Sequence, residues 1–322
     1  MRKRVIASVF AAALALAPAL VWGNSDPGGE TIILPERDTF PESISAASDG
    51  TLYVGSAALG GVRRIRPHSH IIETFIPPGA YRSRSIFGVL VDERSNTLWV
   101  CSNDLSSFGV KGPGEEPGSA LLGFDLATGQ GRIRAALPGA LAICNDIAVD
   151  ARNMVYVTNS AAPEILRLSP KTGALSRWAS DPRFQPPFGG GLDGIAFSPD
   201  GAAFVSIFQT GELFRVKAGK GTAPSVRRLR LSRSLIQPDA LRFLGDGRLI
   251  IAEGGGRLDT ATISGDEVAV KTIADTFRGP TGVARVGDMI WVADGQISYL
   301  MDPAKRGKSP DLPFRIFSVR LP

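Results

Sequence analysis

Six times along the chain an apolar run, a tight turn and a second apolar run recur, and no other feature restricts the fold as much. Residues 44–54 read ISAASDGTLYV, 90–100 LVDERSNTLWV, 147–157 IAVDARNMVYV, 195–205 IAFSPDGAAFV, 241–251 LRFLGDGRLII and 283–292 VARVGDMIWV. Asp-Gly or a similar turn between apolar runs is the strongest short-range hairpin signal. Further alternating runs at 61–66, 121–125, 165–168 and 213–216 supply a third and fourth strand per unit.

Aligned on the turns, the residue seven positions earlier is Glu42, Gly88, Asn145, Asp193, Asp239 and Thr281, at spacings of 46, 57, 48, 46 and 42 residues. Six units of four strands predict an all-β fold, a six-bladed β-propeller, as one domain over residues 24–322. A β-sandwich or a pair of barrels does not explain so even a period. Because an open ring exposes sheet edges, the segment ETIIL at 30–34 is expected to complete the last blade beside FRIFSVRL at 314–321.

Residues 1–23 read as a secretory signal peptide: Arg2, Lys3 and Arg4, an apolar run from Val5 to Trp22, then Gly23. The protein is therefore expected to be exported, periplasmic or secreted, without stable membrane insertion after cleavage. Without the leader, 33 basic residues face 31 acidic ones, a net charge of +2. The basic stretch Arg227, Arg228, Arg230 and Arg233 reads as the solvated face of an outer strand, so nucleic acid is not an expected partner. The two cysteines, Cys101 and Cys144, allow one disulfide in an oxidising compartment. With His68 and His70 they do not fit a structural zinc site.

The innermost strand of a propeller blade lines the channel, and its first residue faces one mouth. Glu42, Asn145, Asp193 and Asp239 would bring oxygen donors from four blades to one axis, the chemistry of a hard cation with six to eight oxygen ligands. Three carboxylates overcompensate one divalent ion, so one is expected to be protonated or to act as a base. Insertions at 103–118 and 185–191 flank the same mouth. Phe108, Phe188 and Phe208 are expected to wall it, and Asn103, Glu253 and Arg257 to supply polar edges. Gly189, Gly191 and Gly194 match a dinucleotide fingerprint but precede a strand instead of opening a helix. No G-x-S-x-G elbow is present.

The segments Phe40-Pro41-Glu42-Ser43, Cys144-Asn145-Asp146-Ile147, Leu192-Asp193-Gly194-Ile195 and Pro238-Asp239-Ala240-Leu241 resemble the metal-binding strand starts of the gluconolactonase, regucalcin and luciferin-regenerating enzyme family. Asn145-Asp146-Ile147 is also similar to the paraoxonase lactonases. The resemblance implies a propeller with one catalytic divalent cation acting on lactones or related esters: calcium first, with magnesium, manganese or zinc as alternatives. It implies that Glu42 is a metal ligand, that Asn145 binds metal or substrate, and that Asp239 is both ligand and base. Asp193 stands where the family usually has Asn, which makes it ligand or base. Ile143 stands where sugar lactonases tend to carry arginine, which counts against a sugar lactone. The reading is a metal-dependent hydrolase of a small-molecule lactone or ester, with Asp239 and Asp193 catalytic and Asn145, Asn103, Phe208 and Glu253 binding substrate. The alternative is a non-enzymatic propeller holding a structural calcium ion and binding a small ligand or a protein partner. A metal-free, strictosidine-synthase-like condensation is the weakest reading.

Overall fold

The computed structural model describes residues 29–322 except 70, 220 and 306. The proposed signal peptide lies outside the described residues. Six small sheets form the blades of a propeller, in inner-to-outer order along the chain except for the outermost strands of blades five and six, which come from earlier in the sequence. The inner strands are Pro41–Ala46, Ser85–Asp92, Cys144–Val149, Leu192–Phe197, Pro238–Phe243 and Gly282–Val286. The sixth blade is completed by Thr31–Ile33, which pairs antiparallel with Arg315–Arg320, so the ring closes between N- and C-terminal segments as expected. Among the described residues no helix is long and apolar enough to cross a membrane.

Alternation explains the layers. Second strands such as Leu52–Ser56, Val155–Asn159 and Ala203–Ile207 are buried throughout, being covered by blades on both faces. Outer strands such as Leu175–Ser180 are largely exposed. At two inner positions glycine is required by close approach: a Cβ on Gly88 would meet the carbonyl of Asn145, and one on Gly194 that of Asp239. The glycine in the false dinucleotide match thus lets neighbouring inner strands touch.

The arginine-rich stretch is split. Ser225–Arg228 is the outer strand of blade four, while Arg230–Leu231 crosses to pair in parallel with Glu267–Ala274 at the outer edge of blade five. Arg227, Arg228 and Arg230 are exposed, as expected, but Arg233 turns inward, 2.6 Å from both Glu253 and Asp259. Two buried carboxylates account for that departure, since neither can stay charged without a partner. Cys101 and Cys144 form a disulfide joining blades two and three, with Cα atoms 5.2 Å apart.

Candidate functional site

The donor residues sit on irregularities of the ladder. Between Pro41 and Ser43, Cys144 and Ile147, Leu192 and Ile195, and Pro238 and Leu241 the register slips, and the extra residues are Glu42, Asn145 with Asp146, Asp193 with Gly194, and Asp239 with Ala240. Blade two slips at the same place, between Ile86 and Val89, where Phe87 and Gly88 carry no donor. A bulge releases a residue from ladder pairing and re-aims its side chain, which is why bulges gather at functional sites.

Hydroxyls opposite the bulges lock them in place. Thr158 Oγ1 accepts from the Asp146 N–H at 3.0 Å and donates to the Asp193 carbonyl at 2.6 Å, tying blade three to blade four. Ser206 Oγ accepts from the Gly194 N–H at 3.0 Å and reaches the Asp239 carbonyl at 3.4 Å, repeating the device between blades four and five. Asn145 donates from Nδ2 to Ser160 Oγ at 2.7 Å, and Ser160 donates to the Leu192 carbonyl. Thr281, in the same register, donates to the Pro41 carbonyl at 2.8 Å and so closes blade six onto blade one.

Glu42, Asn145, Asp193 and Asp239 are all buried. Burial pushes Asp193 far above the ordinary carboxylate range, aided by the charge of Asp146 and opposed by hydrogen bonding from Asp239 and Asn145. Burial, then Asp193, Glu42 and Asp146, do the same to Asp239. Glu42 is raised by burial, Asp193 and Asp146, against the pull of Arg242. Burial and mutual charge raise all three carboxyls, the direction expected when three carboxylates crowd one site. Asp193 Oδ1 is buried without a hydrogen-bond partner.

These facts bear on a cation in two ways. The donor set is all oxygen, crowded and short of counter-charge, and the orphaned Asp193 oxygen lacks a positive partner, so the chemistry fits a hard divalent ion. As the side chains stand, however, no three histidine, cysteine, aspartate or glutamate side chains among the described residues are grouped to hold a metal.

Two residues that sequence reasoning passed over complete the site. Asp146, next to Asn145, is gripped by Arg242 of blade five at 2.7 and 3.1 Å and also accepts from the Ile147 and Ile195 N–H groups. Three blades therefore meet on one carboxylate. The available signals were position alone: Asp146 follows a donor, and Arg242 lies three residues after one.

Of the predicted polar edges, Asn103 and Glu253 lie beside the donor strand starts and are bonded to backbone. Asn103 is fully buried, with its amide donating to the Cys144 carbonyl and accepting from the Cys144 N–H, both at 2.9 Å. Glu253 is also fully buried, accepting from the Ile236 N–H and from Arg233. Both are bonded to backbone next to a bulged strand start, as buried polar side chains generally are. Arg257 begins the strand Arg257–Ser264, paired with Glu253 across the ladder. Phe208 is half-buried beside the 189–191 loop, its N–H bonded to Gly191, and Phe188 is 73% exposed. Phe108 packs against the core at the end of the turn Ser106–Phe108. The 104–118 insertion is stapled by Arg84, which pairs with Asp104 at 2.9 Å and donates to the Lys111 and Glu116 carbonyls.

Two cavities lie away from this mouth. One of about 340 Å³ opens at the other ends of the inner strands, lined by Leu90, Val149, Phe197, Arg242 and Phe243 among others. One of about 420 Å³ lies at the outer edge between blades four and five, lined by Glu212, Arg228, Arg230 and Arg233. Neither carries the convergent, perturbed carboxyls that mark a reactive centre.

No protein-family model matches the chain, and no curated protein is recognisably similar to it in sequence. Solved structures share the fold. A gluconolactonase from Xanthomonas campestris superposes with a TM-score of 0.64 at 16% identity, covering 91% of this chain and 90% of the other. The major allergen Mala s 1 of Malassezia sympodialis gives 0.65 at 12% identity, covering 89% and 95%. A virginiamycin B lyase from Staphylococcus aureus gives 0.58 at 16% identity, covering 90% and 83%. One propeller architecture thus serves proteins with unrelated names, and the function must be argued from the site.

Proposed function

We propose that this protein is a hydrolase that opens a lactone or related ester at the channel mouth formed by Glu42, Asn145, Asp193 and Asp239. The observation that carries the reading is the placement of four oxygen donors on four ladder bulges, three of them carboxyls whose proton affinity is raised by burial and by one another. The gluconolactonase of the same fold lends the substrate class.

Glu42, Asn145, Asp193 and Asp239 would hold a divalent cation, calcium before magnesium, manganese or zinc. Such a cation, when bound, polarises a carbonyl oxygen. The chain's own groups manage the proton. The ionised member of the Asp193–Asp239 pair takes a proton from water as the water oxygen adds to the carbonyl carbon. The pair then returns a proton to the ring oxygen as the acyl C–O bond breaks, leaving a hydroxy acid and the carboxyls as they began. Asn145, oriented by Ser160, donates no proton and serves to position metal or substrate. The Cys101–Cys144 disulfide supports the reading of an exported protein, since such bonds persist in oxidising compartments.

The test is a panel of lactones with each of the four metals, with and without chelator. Turnover that is lost on chelation and restored by one metal is expected. At a hundredfold excess over its dissociation constant the metal should also stabilise the fold by about 2.7 kcal/mol. Metal-dependent melting with no turnover of any lactone would favour the binding propeller with a structural calcium ion instead.

A further inference from the structure

The loops that lead into the inner strands all lie on the donor face, and three consecutive ones hold out large apolar side chains. Six large apolar side chains are exposed among the described residues, and three of them stand on consecutive blades just ahead of a donor. Leu141, 79% exposed, precedes Asn145 by four residues; Phe188, 73% exposed, precedes Asp193 by five; Ile236, 49% exposed, precedes Asp239 by three. The stretches immediately around them, 138–143, 185–191 and 234–237, contain no charged residue, although Asp181 and Arg183 lie earlier in the blade-four loop and Arg233 earlier in that of blade five. The corresponding loops of blades six and one expose Arg278, Arg37 and Asp38 instead, and that of blade two exposes Arg82 beside Tyr81, which is 41% exposed.

The apolar side chains are held out on anchored backbone. The Ile143 N–H is bonded to Asn159, and Cys144, three residues after Leu141, is held by the disulfide. Gly190 and Gly191 accept from the Gln209 and Phe208 N–H groups. Ile236 donates its N–H to buried Glu253 and accepts from Gly255. Scattered apolar side chains need no explanation, but an apolar crescent over a buried polar centre marks a recognition surface.

We infer that the substrate is amphiphilic: the group attacked sits at the carboxyl cluster, and an alkyl chain attached to it lies across the crescent of Leu141, Phe188 and Ile236. The inference rests on the hydrolase reading only for the identity of the reacting group. Its apolar half stands on the mouth itself.

Binding of 5-alkyl-γ-lactams, from methyl to hexyl, measured by calorimetry separates the two. Lactams are chosen because an amide resists hydrolysis far more than an ester does. Affinity of the unaltered protein should rise with chain length, by up to about fourfold per fully buried methylene. The triple variant Leu141→Ser, Phe188→Ser, Ile236→Ser should lose at least tenfold in affinity for the hexyl probe and none for the methyl probe. Arg278→Ser, on the blade-six loop, should leave the chain-length slope intact. Lactam binding with this slope, but no turnover of the matching 5-alkyl-γ-lactones, would remove the hydrolase reading and keep the amphiphile site. A flat slope in the unaltered protein, or a slope that the triple variant retains, overturns the inference. So does sedimentation with phosphatidylcholine vesicles that the triple variant abolishes without any chain-length dependence, which would make the crescent a lipid-facing surface.

Discussion

Arg242→Gln should destabilise this propeller more than any exposed arginine substitution. The Arg242 side chain is 16% exposed and that of Asp146 is 6% exposed, and the two are joined by paired hydrogen bonds at 2.7 and 3.1 Å. Removing the guanidinium leaves Asp146 with only the Ile147 and Ile195 N–H groups. Breaking a buried pair by removing one partner costs about 3–5 kcal/mol, because a buried charge is left uncompensated. With unfolding entropy scaling with chain length, about 2 °C is lost per kcal/mol in a domain this large, so the melting midpoint should fall by about 5–10 °C. Arg242 also opposes the raising of Glu42, so the deficit should deepen as the pH rises and Glu42 is forced to ionise without it. Thermal melts of Arg242→Gln, Asp146→Asn and the double variant, followed by circular dichroism from pH 4 to 8, make the check. The double variant should recover much of the loss, with an interaction energy of about 1–3 kcal/mol. Additive single effects, or a loss from Arg242→Gln below about 1 kcal/mol, would refute the claim that this pair joins the blades.

Asp239→Asn keeps an oxygen donor while removing proton acceptance, so metal affinity should weaken modestly and lactone turnover fall by about a hundredfold or more. Asp193→Asn should be tolerated if Asp193 is only a ligand, and full activity in both variants at saturating metal would remove the pair from the mechanism. Replacing both Cys101 and Cys144 with alanine opens a loop spanning 43 residues and should cost about 4 kcal/mol by chain entropy, read from denaturant melts. The unfolded, unreduced parent protein should show no reactive thiol. In chelator, stability should decline as the pH rises from about 4. Glu42, Asp193 and Asp239, with Asp259 pushed up to about 6 by burial and then by Glu253, keep protons in the folded state that the unfolded chain has released. Melting midpoints that rise over pH 4 to 6 in chelator would contradict the sign.

The period of the hairpins was enough to determine a six-bladed ring, because each unit is a local strand–turn–strand signal and nothing but closure accommodates six of them evenly. It also determined the register, and so picked out Glu42, Asn145, Asp193 and Asp239 together: position within a repeat is a property of sequence alone. What a side chain meets across the channel is not. Asp146 and Arg242 are 96 residues apart, and only the superposition of blades three and five makes them partners. Asn103 and Glu253 look in sequence like polar edges at strand ends, yet each is spent on backbone from the neighbouring loop, 41 and 17 residues away. The disulfide was open in the sequence and is decided by two strands lying side by side in adjacent blades. The run of exposed apolar side chains on three consecutive leading loops belongs to the same class. Leu141, Phe188 and Ile236 are unremarkable singly, and they become one surface only because the ring sets three consecutive leading loops next to each other.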